Sequence, residues 1–283
     1  MNETLELPGL GSVPIVRAPS VSDAGRLVRE CRAAGKAVYP VGGRTMLDLG
    51  LPAKRPGIAL DTTALDAVID YPARDMTITV QAGLTIAQLD RVLERENQWL
   101  PVDVPLPARA TLGGAIAANA SGPHRLGHGT LRDAVIGIGF LTDDGVEVKG
   151  GGRVVKNVAG YDFMKLQTGA LGTLGLITHV TLKVKPRPEA TATVAFGCRS
   201  AELDGVLDLL HKSNSRPVAI ELLNAAAWAE TGAASIPGDW ILLVGFGEKR
   251  VTVDWQKKTL LDELKRDVRD LFGLWLTVTA LQV

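Results

Sequence analysis

The chain has 283 residues, 46% of them hydrophobic, and 31 Lys plus Arg are balanced by 31 Asp plus Glu. That length allows one large domain or two moderate ones, each with its own core. The neutral balance gives no general attraction to nucleic acid or to an anionic membrane, and no stretch approaches the roughly 18 apolar residues of a membrane span.

The N-terminus lacks the basic start and apolar core of a signal peptide, so a cytoplasmic location is expected. The first clear unit is "SVSDAGRLVRECRAAGKAVYPVGGRT". Ser20 or Ser22 caps a helix with Ala24, Leu27, Val28 and Cys31 on one face, and Gly35 ends it. "AVYPV" reads as a strand that runs at once into Gly42 and Gly43. Strands follow at 57–63, 67–73 and 76–83, then an amphipathic helix over 85–100 with Thr85 as N-cap. Next comes "TLGGAIAANASGPHRLGHG" (111–129), where a run of Ala and Gly buries little apolar area. Something other than side chains must fill the space against it. Two strands joined by a turn at Asp143-Asp144-Gly145 occupy 133–152, and a glycine-rich turn precedes an alternating strand in 165–188. Beyond residue 190 the texture changes to strand, helix, strand, strand and helix. The last helix, over 253–273, carries Trp255, Leu260, Leu264 and Val268 as its apolar stripe.

Three glycine-rich turns stand out: "PVGGRT" (40–45), "TLGGAIAANASG" (111–122) and "TGALGTLGLIT" (168–178). Glycine tolerates positive φ and close backbone approach, and successive amides in such turns form concavities suited to a pyrophosphate. The spacing is not the G-x-G-x-x-G of a Rossmann unit, and no G-x-x-x-x-G-K-[ST] is present. The two cysteines, Cys31 and Cys198, are far apart and in no C-x-x-C, so this chain alone holds no four-thiolate iron–sulfur cluster.

"YPVGGRT", "TVQAGLTIAQLDRVLERENQWLPVD", "ATLGGAIAANASGPHRLGHGTLRDAVIG" and "TGALGTLGLITHVTLKVKP" together resemble the FAD-binding domain of the vanillyl-alcohol oxidase/p-cresol methylhydroxylase superfamily. The likeness runs over about residues 10–187, in the family's order. Residues 151–175, "GGRVVKNVAGYDFMKLQTGALGTLG", resemble more narrowly the FAD-binding subunits of glycolate oxidase-type 2-hydroxy-acid dehydrogenases. The resemblance implies an α+β chain. Residues 1–187 would be a PCMH-type FAD-binding domain of two subdomains with the flavin between them. Residues 190–283 would be a small α+β cap domain, reduced or truncated.

On this resemblance, the first turn wraps the FAD pyrophosphate through Val41, Gly42, Gly43, Arg44 and Thr45. The second segment runs beside the flavin and ribityl chain through Thr111, Gly113, Gly114, Asn119, Ser121 and Gly122. The third turn contacts the adenosine half through Gly172, Thr173, Gly175 and Ile177. FAD then fills the space that the Ala/Gly run leaves. The implied activity is oxidation of glycolate or a similar 2-hydroxy acid to the 2-oxo acid. The implied partners are a second FAD-binding subunit and an iron–sulfur subunit that takes the electrons, with any membrane association made through them. Alternatives are a flavin-bearing assembly subunit without turnover and a stand-alone flavin oxidase of another alcohol.

Other polar residues have plainer readings. His124 and His128 are four apart, but Pro123, Gly127 and Gly129 argue against the helix a metal pair would use, so no metal site is expected. His179 lies in a strand and His211 on a helix. Related 2-hydroxy-acid oxidising enzymes carry paired histidines in the cap, where this chain has only His211, so no catalytic residue is assigned. The first turn carries Arg44 and Thr45, with neither cysteine near, which favours non-covalent FAD; His124 or His128 is the alternative link. Lys156, Asn157, Tyr161 and Asp162 form a distinctive polar cluster, either a surface loop or a wall of the site or a partner contact. Arg125 and Arg132 read as solvated or as anion-binding.

Overall fold

The computed structural model describes residues 3–152 and 161–267 and the strand at 272–278; Lys156, Asn157 and Val268 lie outside the described residues. Two compact units are present: residues 1–121 with 129–186, and residues 122–128 with 187–283.

The first unit begins with β1 (Thr4–Leu7), β2 (Gly11–Arg17), α1 (Val21–Ala33), β3 (Ala37–Val41) and β4 (Gly57–Asp61). The strands form a four-stranded sheet in the order β1-β2-β4-β3, in which β4 runs parallel to both β2 and β3. The parallel strands therefore end together, at Arg17, Val41 and Asp61. Ser20 caps α1, its Oγ accepting the Asp23 amide at 3.1 Å, and Gly35 at φ +66° follows its end. The apolar side of α1 buries Ala24 and Val28 against Leu60, Leu141 and Leu176.

A second sheet follows. β5 (Val68–Asp70), β6 (Thr77–Gln81), β8 (Val135–Leu141), β9 (Glu147–Gly151) and β10 (Leu176–Lys183) pair antiparallel in the order β5-β6-β10-β8-β9. The strand expected over 67–73 shrinks to three residues, because Pro72 removes a ladder donor and a 3-10 turn at Ala73–Asp75 follows. Between the strands lie α2 (Ile86–Glu94), β7 (Gln98–Trp99), α3 (Leu112–Ala118), α5 (Leu131–Ala134) and α6 (Phe163–Gln167). β11 (Lys185–Pro186) pairs with β7. Thr85 closes a capping box on α2, with the Gln88 amide donating to its Oγ1 at 3.2 Å and its own amide donating to Gln88 Oε1 at 2.9 Å. Leu89, Leu93, Leu112, Ile116, Leu131, Val180 and Leu182 are the centre of this unit's largest core.

The second unit contains α4 (Arg125–His128), β12 (Ala190–Cys198), α7 (Leu203–Lys212), β13 (Ala219–Asn224), α8 (Ala225–Glu230), β14 (Trp240–Glu248), α9 (Arg250–Asp267) and β15 (Phe272–Val278). Its antiparallel sheet has the order β13-β14-β12-β15. On one face Val194, Phe196, Leu242 and Val244 pack with Val206, Leu210, Val253, Leu260 and Leu264 of α7 and α9. On the other, Trp228 and Ile236 cover Ala195 and Ile241.

The stripe expected on α9 needs one correction. Trp255 is exposed, at 54%, while Val253, Gln256, Leu260, Glu263 and Leu264 face inward. Trp255 and Leu260 are five residues apart, about 140° around a helix, so they do not share a face. The inward polar pair has partners: Gln256 Nε2 donates to the Ser215 carbonyl at 2.9 Å, and Glu263 accepts the Ser213 hydroxyl at 2.5 Å and the Asn214 amide at 3.2 Å.

Candidate functional site: a cavity between three glycine turns

A cavity of about 430 Å³ opens in the first unit, lined by the loop after β3, the first turns of α3, and the turn before β10. That volume lies within the roughly 300–1,000 Å³ of small-molecule and cofactor sites. Val41, Gly42, Gly43, Arg44, Thr45, Thr111, Gly113, Gly114, Gly172, Thr173, Gly175 and Ile177 all line it. Asn119, Ser121 and Gly122 do not. Asn119 ends α3 at φ +53°, Ser121 is buried with its Oγ accepting the Leu131 amide at 3.1 Å, and Gly122 belongs to the second unit.

The three turns are locked to one another. α3 is stitched to the segment after β6: the Leu112 amide donates to the Leu84 carbonyl at 2.9 Å and the Gly113 amide to the Ala82 carbonyl at 2.8 Å. The Gly114 amide is held by Thr111 Oγ1 at 3.4 Å. The Leu171 amide donates to the Ala117 carbonyl at 2.9 Å. Most of the glycines serve these close approaches. A Cβ on Gly42 would overlap Thr111 Oγ1, and one on Gly43 would overlap the Arg109 carbonyl. On Gly113 it would lie 2.7 Å from Ala82 Cβ, and on Gly175 2.7 Å from Phe140 Cδ2. Gly114 differs: its Cβ would meet only Thr111 Oγ1, at 3.2 Å, and otherwise enter the cavity.

This stitching decides which backbone can hold an anion. The first amides of α3 are already used, so its N-terminus is not the anion site. Among the described residues, the amides of Gly42, Gly43, Arg44 and Thr45 donate no hydrogen bond, and they line the cavity. Arg44 sits at φ +57° within this run, a conformation costing a non-glycine residue about 1–3 kcal/mol.

Behind the run lies Asp61, which the sequence reading missed. Its side chain is 2% exposed. Oδ1 accepts the Thr63 amide at 2.8 Å and the Thr63 hydroxyl at 2.7 Å; Oδ2 accepts Arg17 Nε at 3.2 Å and Nη2 at 3.1 Å. Burial pushes this carboxyl up, but the Thr63 and Arg17 donors outweigh it and hold the group below the ordinary carboxylate range. The signal was an Asp at a strand end followed by Thr-Thr, where an Asx turn forms. The apolar wall from Met46, Leu47, Leu49 and Leu51 also escaped notice, since an irregular loop has no period to read.

The remaining candidates lie elsewhere. His124 and His128 stack at 6.0 Å on a single helical turn, α4, which the sequence argued against; the His128 amide donates to the His124 carbonyl at 3.0 Å. His179 is half-buried over Gly139 with Nδ1 3.4 Å from Glu147; burial lowers its pKa, opposed by that carboxylate. Asp162 caps α6, accepting the Lys165 amide at 3.0 Å, and Tyr161 is exposed. Cys31 and Cys198 are buried and do not line the cavity. No helix among the described residues is long and apolar enough to cross a membrane.

Residues 14–151 match the model of the FAD binding domain. The chain is 35% identical over 154 residues to the glycolate oxidase subunit GlcE of Escherichia coli, covering 54% of this chain and 43% of that one. It is 34% identical to a D-2-hydroxyglutarate dehydrogenase of Xanthomonas citri pv. viticola, covering 60% and 36%, and 29% identical to the glycolate oxidase subunit GlcD of Bacillus subtilis, covering 66% and 40%. The chain thus spans well under two thirds of these relatives. Among solved structures, p-cresol methylhydroxylase superposes with TM-score 0.73 over 93% of this chain and 57% of its own at 17% identity. An alkyldihydroxyacetonephosphate synthase superposes with TM-score 0.76, over 94% and 52%, at 21% identity. The fold is therefore α+β of the PCMH type, and the cofactor of the domain is FAD.

Proposed function

We propose, from the premise that residues 14–151 are an FAD-binding domain, that this chain is the FAD-binding subunit of a glycolate oxidase-type 2-hydroxy-acid dehydrogenase complex. The observation that carries the reading is the cavity itself: among the described residues it is lined by the consecutive unbonded amides of Gly42 through Thr45 and by Gly114, all within the segment that matches the domain model. The relatives, two glycolate oxidase subunits and a D-2-hydroxyglutarate dehydrogenase, suggest the reaction class.

The residues present fit FAD. The amides of Gly42 through Thr45 would donate to its diphosphate, with the Arg44 guanidinium adding positive charge. Gly114 leaves room for a flat ring against α3. Val41, Ala82, Ala117 and Ile177 give the cavity apolar lining. FAD, when bound, accepts the two electrons that a 2-hydroxy acid loses in becoming a 2-oxo acid. Neither cysteine and no histidine lines the cavity among the described residues, which supports non-covalent attachment. Electrons would leave to an iron–sulfur subunit, with a second flavoprotein subunit completing the complex. Residues 1–121 with 129–186 would form the FAD-binding domain, and residues 122–128 with 187–283 a small cap.

A second reading is a flavin-bearing assembly subunit that does not itself turn over substrate. It draws on one observation: the described lining residues include no Asp, Glu, His, Lys or Cys to take the substrate proton, and the Tyr39 hydroxyl already donates to the Arg55 carbonyl at 2.6 Å. Dye-linked oxidation of glycolate and D-lactate, measured for the chain alone and after co-expression with candidate partner subunits, tests both. Turnover appearing only with partners supports the complex. Full turnover by the isolated monomeric chain would refute the need for partners. Reconstitution of the complex with a flavin that substrate never reduces would favour the second reading.

A further inference from the structure

We propose that Asp61 is a positioning residue for the cofactor's diphosphate, acting through Arg44; the inference rests on the FAD reading above and deepens it. Arg44 is held but not committed. Its Nη2 lies 3.7 Å from Asp61 Oδ2, too far for a hydrogen bond, and both Nη1 and Nη2 lie 3.3 Å from Oε1 of Glu3, whose side chain is 64% exposed. Asp61 cannot draw Arg44 closer, because its near oxygen is already shared by Nε and Nη2 of Arg17 and its other oxygen by Thr63. The guanidinium is thus aimed by a buried carboxylate whose hydrogen-bonding capacity is spent elsewhere, beside a run of free amides. A diphosphate entering that run offers Arg44 short charge-assisted bonds in exchange for a long contact with a solvated glutamate.

Pure electrostatics and positioning predict opposite signs. Asp61→Asn removes a negative charge near the anion, so charge alone would tighten FAD. A positioning role makes the variant weaker for FAD and unchanged for riboflavin, which has no diphosphate. Arg17→Gln is the second variant, at a side chain 62% exposed. It frees Oδ2 to capture Arg44, and so weakens FAD in the same selective way. The experiment is a titration of the apo full-length chain with FAD and with riboflavin, for each variant in the wild-type and the Arg44→Gln backgrounds. Arg44→Gln should weaken FAD about tenfold or more while riboflavin holds. In that background the effects of Asp61→Asn and Arg17→Gln should vanish. Equal losses in both backgrounds, equal losses for FAD and riboflavin, or tighter FAD in Asp61→Asn would each overturn the role. If Asp61→Asn does not fold, Arg17→Gln decides by the same criteria. A wild-type chain that binds neither ligand sinks the FAD reading along with it, whereas normal wild-type binding with an indifferent Arg44→Gln sinks this inference alone.

Discussion

Gly114→Val separates ligand space from packing space. Gly114 is the third residue of α3, and an added Cβ meets only Thr111 Oγ1 at 3.2 Å, the atom that already accepts the Gly114 amide. Once Thr111 Oγ1 shifts by a few tenths of an ångström, the unliganded protein regains part of the about 0.5–1 kcal/mol that a helical Gly costs relative to Ala. Beyond the Cβ, Val adds two methyls at a residue that lines the cavity proposed for FAD. Overpacking of that kind costs about 1–3 kcal/mol, which corresponds to roughly a 5- to 150-fold rise in Kd. The assay pairs thermal melting of the apo protein with a flavin-fluorescence titration. Melting temperature should hold or rise while affinity for FAD falls. Wild-type affinity in Gly114→Val would mean the ring does not lie against α3, and a large loss of apo stability would mean the cavity is not open there.

Gly43→Ala should do the reverse, because its Cβ overlaps the Arg109 carbonyl; chemical denaturation should show the apo protein destabilised by about 1–3 kcal/mol, and an unchanged midpoint would contradict the packing of the first turn on residues 109–110. Asp61 has a lowered folded-state pKa, so its stabilising contribution is complete above the ordinary carboxylate pKa of 3.8 and disappears as pH falls through the lowered value. Stability curves of wild type and Asp61→Asn should therefore be well separated at neutral pH and converge in strong acid; a constant gap would exclude Asp61 titration as the cause. Leu260→Ala should cost about 2–5 kcal/mol, as for a fully buried leucine, whereas Trp255→Ser should stay within about 0.5 kcal/mol; comparable losses in urea denaturation would restore Trp255 to the core. Acid precipitation should release free FAD and leave a colourless pellet, and colour retained in the pellet would demonstrate a covalent link.

Local signals carried much of the fold. Ser20 and Thr85 announced their helices because a side-chain oxygen ahead of an apolar stripe has one common use, and both caps formed as read. The turn at Asp143-Asp144-Gly145 joined its two strands for the same reason, with Gly145 at φ +69°. The site was harder. A glycine in a sequence signals close approach without saying what approaches. Gly42, Gly43, Gly113 and Gly175 turn out to admit other parts of this chain, whereas at Gly114 a Cβ would meet a single side-chain atom, Thr111 Oγ1 at 3.2 Å. Ser121 looked like a ligand contact and instead accepts the Leu131 amide, a pairing over ten positions that no local pattern encodes. Asp61 and Arg44 meet across seventeen positions only because β3 and β4 run parallel and end together. Trp255 was misassigned because a count of apolar residues ignored the angle between them.

The short excursion of residues 122–128 into the second unit has an architectural consequence. The Gly127 amide is bonded to the Val218 carbonyl at 3.0 Å, and a Cβ on Gly127 would press on Val218 Cα at 2.7 Å, so this heptapeptide is a component of the second unit although its neighbours in sequence belong to the first. No single scission of the polypeptide separates the two. A fragment ending at Pro186 would keep the heptapeptide but strip it of β13, exposing an orphaned amide on a loop whose stem continues directly from α3. A fragment beginning at Arg187 would lack a piece of its own sheet's surroundings. Exchange of the C-terminal unit between relatives must therefore carry two stretches of sequence together, and chimaeras spliced only at 186–187 should fold worse than those that also transplant 122–128.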